Sequence, residues 1–271
     1  MDSSRKKSTY TYSRLVEPSS SSHTASPHKK AGFGRAVIID ARKYNTKEIN
    51  SKIKRLASRE KTQIMIRNPG ARHNLVVGVV RPCRIAFDGG VGYYCCSFCD
   101  GIDVSIDGNS GWGLGDNLMS GRLRVKGDAG ACLGASMHGG NVLVEGDAGA
   151  RAGILMKGGT IVVLGSTGFL TGFMMQKGKM VVLGDVGDAA GDSMYEGVIY
   201  VGGKISSLGA DARIETATPE ENEMIMAMLE NWGLGNRINQ VANGVFKKIM
   251  SAKRLYHYDA LEPLEKERMV I

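Results

Sequence analysis

The stretch that decides the fold is Gly127-Asp-Ala-Gly130-Ala-Cys-Leu-Gly134, because its three glycines come back at the same spacing in Gly184-Asp-Val-Gly187-Asp-Ala-Ala-Gly191. The steps between them are filled. Gly108, Gly127, Gly146, Gly165, Gly184 and Gly203 stand nineteen residues apart, and so do Gly92, Gly111, Gly130, Gly149, Gly168 and Gly187. A third series runs Gly115, Gly134, Gly153, Gly172, Gly191, and a fourth Gly121, Gly140, Gly159, Gly178, Gly197. Four glycine series in one register describe a chain that returns to the same corner every nineteen residues.

The apolar residues keep that register. Ile85, Val104, Leu123, Val142, Ile161, Met180 and Ile199 form one ladder, and Phe87, Ile106, Val125, Val144, Val163, Val182 and Val201 form another two positions on. Residues two apart share a face of a strand, so each coil is expected to hold one short strand with both residues inward. Cys99, Leu118, Met137, Met156, Met175 and Met194 make a third inward ladder. The fold class these ladders predict is all-β: a right-handed, single-stranded parallel β-helix with like side chains stacked about 4.8 Å apart. Glycines sit at corners, where φ is positive or two coils approach closely. Asn109, Asp128, Asp147, Ser166 and Asp185 follow the corner glycines and suit Asx-type turns.

Outward from this array, the composition is that of a globular chain: 271 residues, 42% hydrophobic, 37 glycines and 6% aromatic. All six prolines lie outside residues 83 to 218, which separates the array from a low-complexity segment. No run of eighteen apolar residues occurs, and the basic start of the chain lacks a signal-like apolar stretch, so a cytoplasmic chain without a membrane partner is expected. The formal charge of +8 gathers at the N-terminal flank, where residues 1 to 30 carry six Lys/Arg against Asp2 and Glu17. With nine serines in those thirty residues, that flank reads as a disordered tail, and no nucleic-acid partner is expected.

The domain reading is a basic Ser-rich tail over 1–34, a strand and helix cap over 35–63, the β-helix over 64–211, and C-terminal helices with a tail over 212–271. Asn45 and Glu48 have capping-box spacing for a helix reaching Lys61, with Ile49, Ile53 and Leu56 on one face. Thr218-Pro-Glu-Glu221 starts a second helix with Pro219 at its first position, Met224, Ile225, Met228 and Leu229 on its buried face, and Gly233 as its stop. A last amphipathic segment is expected over Ile238 to Leu255.

Candidate chemistry is sparse. Gly111-Trp-Gly113-Leu-Gly115 lacks the spacing and following helix of a dinucleotide loop, and Gly172-Phe-Met-Met-Gln-Lys-Gly178-Lys179 has one residue too many for a P-loop, with Met180 where Ser or Thr would hold magnesium. Cys96-Ser-Phe-Cys99, beside Cys95, has metal-ligand spacing, but no second pair exists and Cys83 is the one further candidate. Cys99 falls in the Leu/Met ladder and Cys95 aligns with Leu114 and Leu133, so these thiols read as small core residues without a metal. His73, His138 and His257 are scattered, and Asp188, Asp192 and Glu196 read as solvated corner acids. No catalytic, cofactor-binding or metal residue is nominated in this chain.

The recurring G-x-x-G-x-x-x-G resembles the GXGXG β-helix domain at the C-terminus of the glutamate synthase large subunit, over roughly Ile64 to Asp211. Asn68-Pro-Gly-Ala-Arg-His-Asn74, Gly191-Asp-Ser-Met-Tyr-Glu196 and Ser251-Ala-Lys-Arg-Leu-Tyr-His257 resemble the separate third subunit of glutamate synthase-like enzymes, including N-methylglutamate synthase. The resemblance implies a non-catalytic scaffold. Its implied partners are a class II glutamine amidotransferase subunit and an FMN-binding glutamate synthase-like subunit, with FMN, and an iron–sulfur cluster as a further candidate, in a partner. The product implied is glutamate or N-methylglutamate. The long Ser-rich tail and the cluster at Cys95, Cys96 and Cys99 depart from the family pattern.

A second resemblance, to the β-helix subunit of formylmethanofuran dehydrogenase in its tungsten or molybdenum complex, rests on a similar β-helix and the Tyr256-His-Tyr258 region. Hexapeptide-repeat acyltransferases need coils in multiples of six, which the nineteen-residue period excludes.

Overall fold

Residues nineteen apart in the array are direct neighbours in space. Val125 pairs with Val144, Val144 with Val163, and Val163 with Val182, each across a parallel ladder. In the computed structural model, which describes residues 36–59, 62–234 and 245–252, seven such strands stack in sequence order. They are β3 (Cys83–Phe87), β4 (Ile102–Ile106), β5 (Gly121–Val125), β6 (Asn141–Val144), β7 (Thr160–Val163), β8 (Lys179–Val182) and β9 (Val198–Val201). The fold is a mostly parallel β-solenoid of about seven turns. The expected tail and Tyr256-His-Tyr258 lie outside the described residues.

The three ladders are its core. Val104, Leu123, Val142, Ile161, Met180 and Ile199 are buried, as are Leu118, Met137, Met156, Met175 and Met194. Fully burying side chains of this kind contributes about 1.5–3 kcal/mol each, so the repeated rungs supply the driving force for stacking. The corner acids behave differently from the Asx-turn expectation. Asp128 N donates to Asn109 Oδ1 at 3.0 Å, Asp147 N to Asp128 Oδ1 at 2.9 Å, and Ser166 N to Asp147 Oδ1 at 2.7 Å. Asp185 N to Ser166 Oγ (3.0 Å) and Lys204 N to Asp185 Oδ1 (2.7 Å) continue the row. Each side chain thus caps the next coil's backbone rather than its own turn. The glycine before each acceptor's partner is required by that approach: a Cβ on Gly146 would fall on Asp128 Oδ1 and within 2.9 Å of Gly127 O.

Two further strands precede the array. β1 (Val37–Asp40) pairs in parallel with β2 (Gln63–Arg67), which pairs with β3. Between them α1 spans Thr46–Ala57, with the Asn45–Glu48 capping box formed at 3.0 and 2.9 Å. The helix stops at Ala57, short of the expected Lys61, and buries Ile49, Ile53 and Ala57, with Leu56 partly covered.

Beyond the array, β10 (Ala212–Thr216), α2 (Pro219–Asn231) and β11 (Lys247–Ser251) close the other end. Of the C-terminal helices expected over 212–271, α2 forms, whereas the described part of the amphipathic segment Ile238 to Leu255 is a strand with alternating burial. β11 lies antiparallel between β9 and β10, and Ile249 pairs with Ile199. An antiparallel strand satisfies the edge of β9 without starting a further coil, and Ile249 covers the last rung.

α2 forms with Thr218 and Glu221 as its capping box, Pro219 in its first turn, and Gly233 at φ +73° just past its end. Ile225, Leu229 and Trp232 pack on the outward side chains Leu143, Val162, Val181 and Tyr200. Glu221 also accepts from Tyr200 Oη (3.0 Å) and Lys248 Nζ (3.1 Å). Burial would raise its pKa, but the bonds from the Thr218 N–H, Lys248 and Tyr200 prevail and lower it. Among the described residues no helix is long and apolar enough to cross a membrane.

Candidate functional site

With its inward positions filled by stacked side chains, the solenoid offers chemistry at two places: the thiol cluster in the first coils and the corner loops along one face. Cys95, Cys96 and Cys99 are buried in the first full corner, and Cys83 is buried at the start of β3. The sulfurs of Cys95 and Cys96 lie 3.7 Å apart, and Cys99 Sγ donates to Val76 O at 2.9 Å. Burial pushes the Cys83 thiol up to about 11 and the Cys99 thiol up to about 12. Cys96 is raised by its hydrogen bond with the Cys95 thiol and then by burial. Such thiols stay protonated and inert at neutral pH. Cys96 holds φ +62° in the slot that Gly134 fills at φ +62°, a substitution of the third glycine series that the repeat makes visible only after alignment of the coils. Among the described residues no three His, Cys, Asp or Glu side chains converge as a metal site.

Each corner loop is a short run of turns held to its neighbours by backbone bonds. Tyr94 N donates to Trp112 O (2.7 Å), Gly113 N to Ala131 O (2.9 Å), Cys132 N to Ala150 O (2.9 Å) and Arg151 N to Phe169 O (2.8 Å). The donors share a left-handed conformation, with φ of 57° at Tyr94, 69° at Gly113, 60° at Cys132 and 59° at Arg151. For a non-glycine residue this costs roughly 1–2 kcal/mol, offset here by a hydrogen bond to the next coil at every step.

The loops carry the exposed apolar surface. Tyr93, Tyr94, Phe98, Trp112, Met119, Phe169 and Tyr195 all lie on them, between 41% and 56% exposed. His73, Tyr93 and Trp112 form a stack, with ring centroids 4.3 and 5.4 Å apart, and His73 Nδ1 accepts from Tyr93 N at 2.9 Å. Exposed aromatic rings stacked on a folded protein in this way mark a candidate interaction surface. The two glycine runs that superficially match nucleotide loops belong to these corners. His138 is exposed, and His257 lies outside the described residues. Asp188 accepts from Ser207 Oγ (3.0 Å) and Asp192 from Ser193 Oγ (2.7 Å), which ties these acids into the last corner; Glu196 is exposed.

Two features escape a reading of the repeat alone. Arg122 lies 3.6 Å over the Trp232 ring and donates to Asn231 O at 2.9 Å, latching the end of α2 to β5. The aromatic stack is the other, because the row of Tyr93 and Trp112 continues as Ala131, Ala150, Phe169 and Asp188, with no residue type repeated from coil to coil. A signal existed for the helix: the outward strand position changes from Ala86, Ser105 and Arg124 to Leu143, Val162, Val181 and Tyr200.

No family model matches the chain. It is similar to Protein GlxC of Rhizobium meliloti (strain 1021), 37% identical over 60 residues, which cover 22% of this chain. The similarity spans about a quarter of the length of that curated relative, 26%.

Proposed function

We propose that this chain is a non-catalytic scaffold subunit of a glutamate synthase-like complex that forms glutamate or N-methylglutamate. Its partners in this reading are a class II glutamine amidotransferase subunit, which releases or channels the amine, and an FMN-binding subunit, which reduces the imine. The observation that carries the reading is the nineteen-residue G-x-x-G-x-x-x-G solenoid itself, whose inward positions are occupied by packing ladders and whose corner loops expose aromatic side chains such as Tyr93 and Trp112. The GXGXG resemblance and the similarity to Protein GlxC support it. A stack of strands bonded rung to rung gives a rigid surface for holding two enzymes in fixed relation.

Co-expression with the amidotransferase and FMN-barrel subunits of the same organism tests the reading. The three are expected to co-purify, and glutamate or N-methylglutamate formation is expected to fall when this chain is omitted. Co-purification with neither, or activity unchanged by omission, refutes it.

A further inference from the structure

An antiparallel partner engages the backbone groups of every second residue, and in β10 those residues are the odd-numbered ones. Ala252 N donates to Asp211 O (2.6 Å) and Ala217 N to Phe246 O (2.9 Å), which places Arg213 and Glu215, between them in the same register, in the bonded pairs with β11. The N–H and C=O groups of Ile214 and Thr216 and the carbonyl of Ala212 therefore point away from β11, while Ala212 N turns to Gly209 O at 3.4 Å. β10 is the last strand of the sheet, so among the described residues no strand lies beyond this edge. Ile214 stands on it 45% exposed. Such an edge is a template for another strand.

Charges of one sign on an edge strand repel a second copy, and lysine is the common choice. Here the two charges of the strand alternate. Arg213 and Glu215 share a face, 3.0 Å apart, with 51% and 41% of their side chains exposed. Lys248 of β11 lies on the same face, 3.4 Å from Glu215, and also holds Glu221 at 3.1 Å. Turned about a two-fold axis at Ile214, the strand Ala-Arg-Ile-Glu-Thr is its own complement. Ile214 meets Ile214 and exchanges both backbone bonds with it, Ala212 meets Thr216, and Arg213 of each copy stands opposite Glu215 of the other. Because only the outward-pointing residues can face one another, the register moves in steps of two residues. One step either way sets Arg213 opposite Arg213 or Glu215 opposite Glu215, and like charges directly opposite are destabilising. We propose that β10 pairs antiparallel with β10 of a second copy of this chain, centred on Ile214, in a two-fold dimer joined through the sheet edge. The proposal goes beyond the scaffold reading and does not depend on it.

Sedimentation velocity of the full chain alone tests it, over about 5 to 500 µM because one short strand pair makes a small interface. The wild type is expected to pass from monomer to dimer over that range and to stop there. Arg213→Glu and Glu215→Arg each set like charges opposite across the axis. Each is expected to raise the dimer Kd at least about tenfold and, the side chains being exposed, to melt within a few degrees of the wild type. Ile214→Lys, which leaves both charges in place, is expected to weaken the dimer as well. Mixed in equal amounts, the Arg213→Glu and Glu215→Arg chains are expected to regain a dimer, since one supplies two acids and the other two bases at the facing positions. A wild type that stays monomeric at the highest concentration overturns the proposal. So does one that grows past a dimer, as head-to-tail pairing of β10 with the open edge of β1 would make it do. Variants that associate as tightly as the wild type, or folded charge variants whose mixture stays monomeric, overturn it too. No other subunit is present in these measurements, so their failure leaves the scaffold reading untouched.

Discussion

Placing a carboxyl group on the inner face of the middle coil probes the stacked interior directly. Val144 is fully buried in β6 and flanked in register by Val125 and Val163. Val144→Asp forfeits about 2 kcal/mol of apolar burial. The new carboxyl, with a pKa of about 3.9 in the unfolded chain, is raised toward about 8–9 when buried. At pH 7 the folded state must therefore take up a proton that the unfolded state does not hold, at a cost of about 4 kcal/mol. The folded pKa lies above the unfolded one, so this part of the loss is absent near pH 4 and grows as pH rises. The expected deficit is about 6 kcal/mol at pH 7 and about 2 kcal/mol at pH 4. At about 2–4 °C per kcal/mol, the melting temperature should drop by roughly 12–24 °C at pH 7, and by a third of that at pH 4, each against the wild type at the same pH. Circular dichroism melts read both, with Asn141→Asp at the exposed start of β6 as a control expected within about 0.5 kcal/mol of the wild type. A Val144→Asp protein that melts within a degree or two of the wild type at pH 7, or whose deficit is the same at both pH values, refutes the inward placement.

Two further outcomes follow from contacts already described. Arg122→Ala should loosen α2 by about 1–2 kcal/mol, seen as faster hydrogen exchange over Pro219–Asn231 and altered Trp232 fluorescence, with no change in the strands; unchanged exchange would remove the latch. In thiol labelling at pH 8 the partly exposed Cys132 should react first, while Cys83, Cys95, Cys96 and Cys99 wait for denaturant, because burial keeps Cys83 and Cys99 protonated far above that pH; rapid labelling of all five in the native protein would show an open first coil.

The solenoid is legible because its signal is repeated: one misread glycine among four series changes nothing, and the inward pairs such as Leu123 and Val125 alternate in every strand. The two capping boxes are legible for a local reason, since Asn45 with Glu48 and Thr218 with Glu221 need only their own neighbours. The closing strand β11 is not, because Lys247–Ser251 buries Ile249 and Ser251 and has no repeat to align with, so its partner on β9 is set by tertiary packing alone. Likewise, Asn109 or Asp128 followed by a backbone N–H reads as a local turn, and only the stacked coils reveal that the nearest unpaired N–H belongs to the next corner. The stack of His73, Tyr93 and Trp112 is hidden for the opposite reason: its row changes to Ala131, Ala150, Phe169 and Asp188 in later coils, so the repeat gives it no pattern.

The corner rows, in which each side-chain acceptor and each left-handed residue binds the coil beside it, also bear on how such a chain can change length. One residue inserted in a coil would throw every later strand, acceptor and glycine out of phase, so such insertions have to bulge outward to be tolerated. Duplicating a whole nineteen-residue unit would instead leave every row continuous and move the two ends apart by about 4.8 Å. Separation between the α1 and β10–β11 ends is thus adjustable only in steps of one coil, with every face keeping its direction. Any pair of proteins bound toward those ends would be spaced in the same discrete increments, as marks are on a ruler.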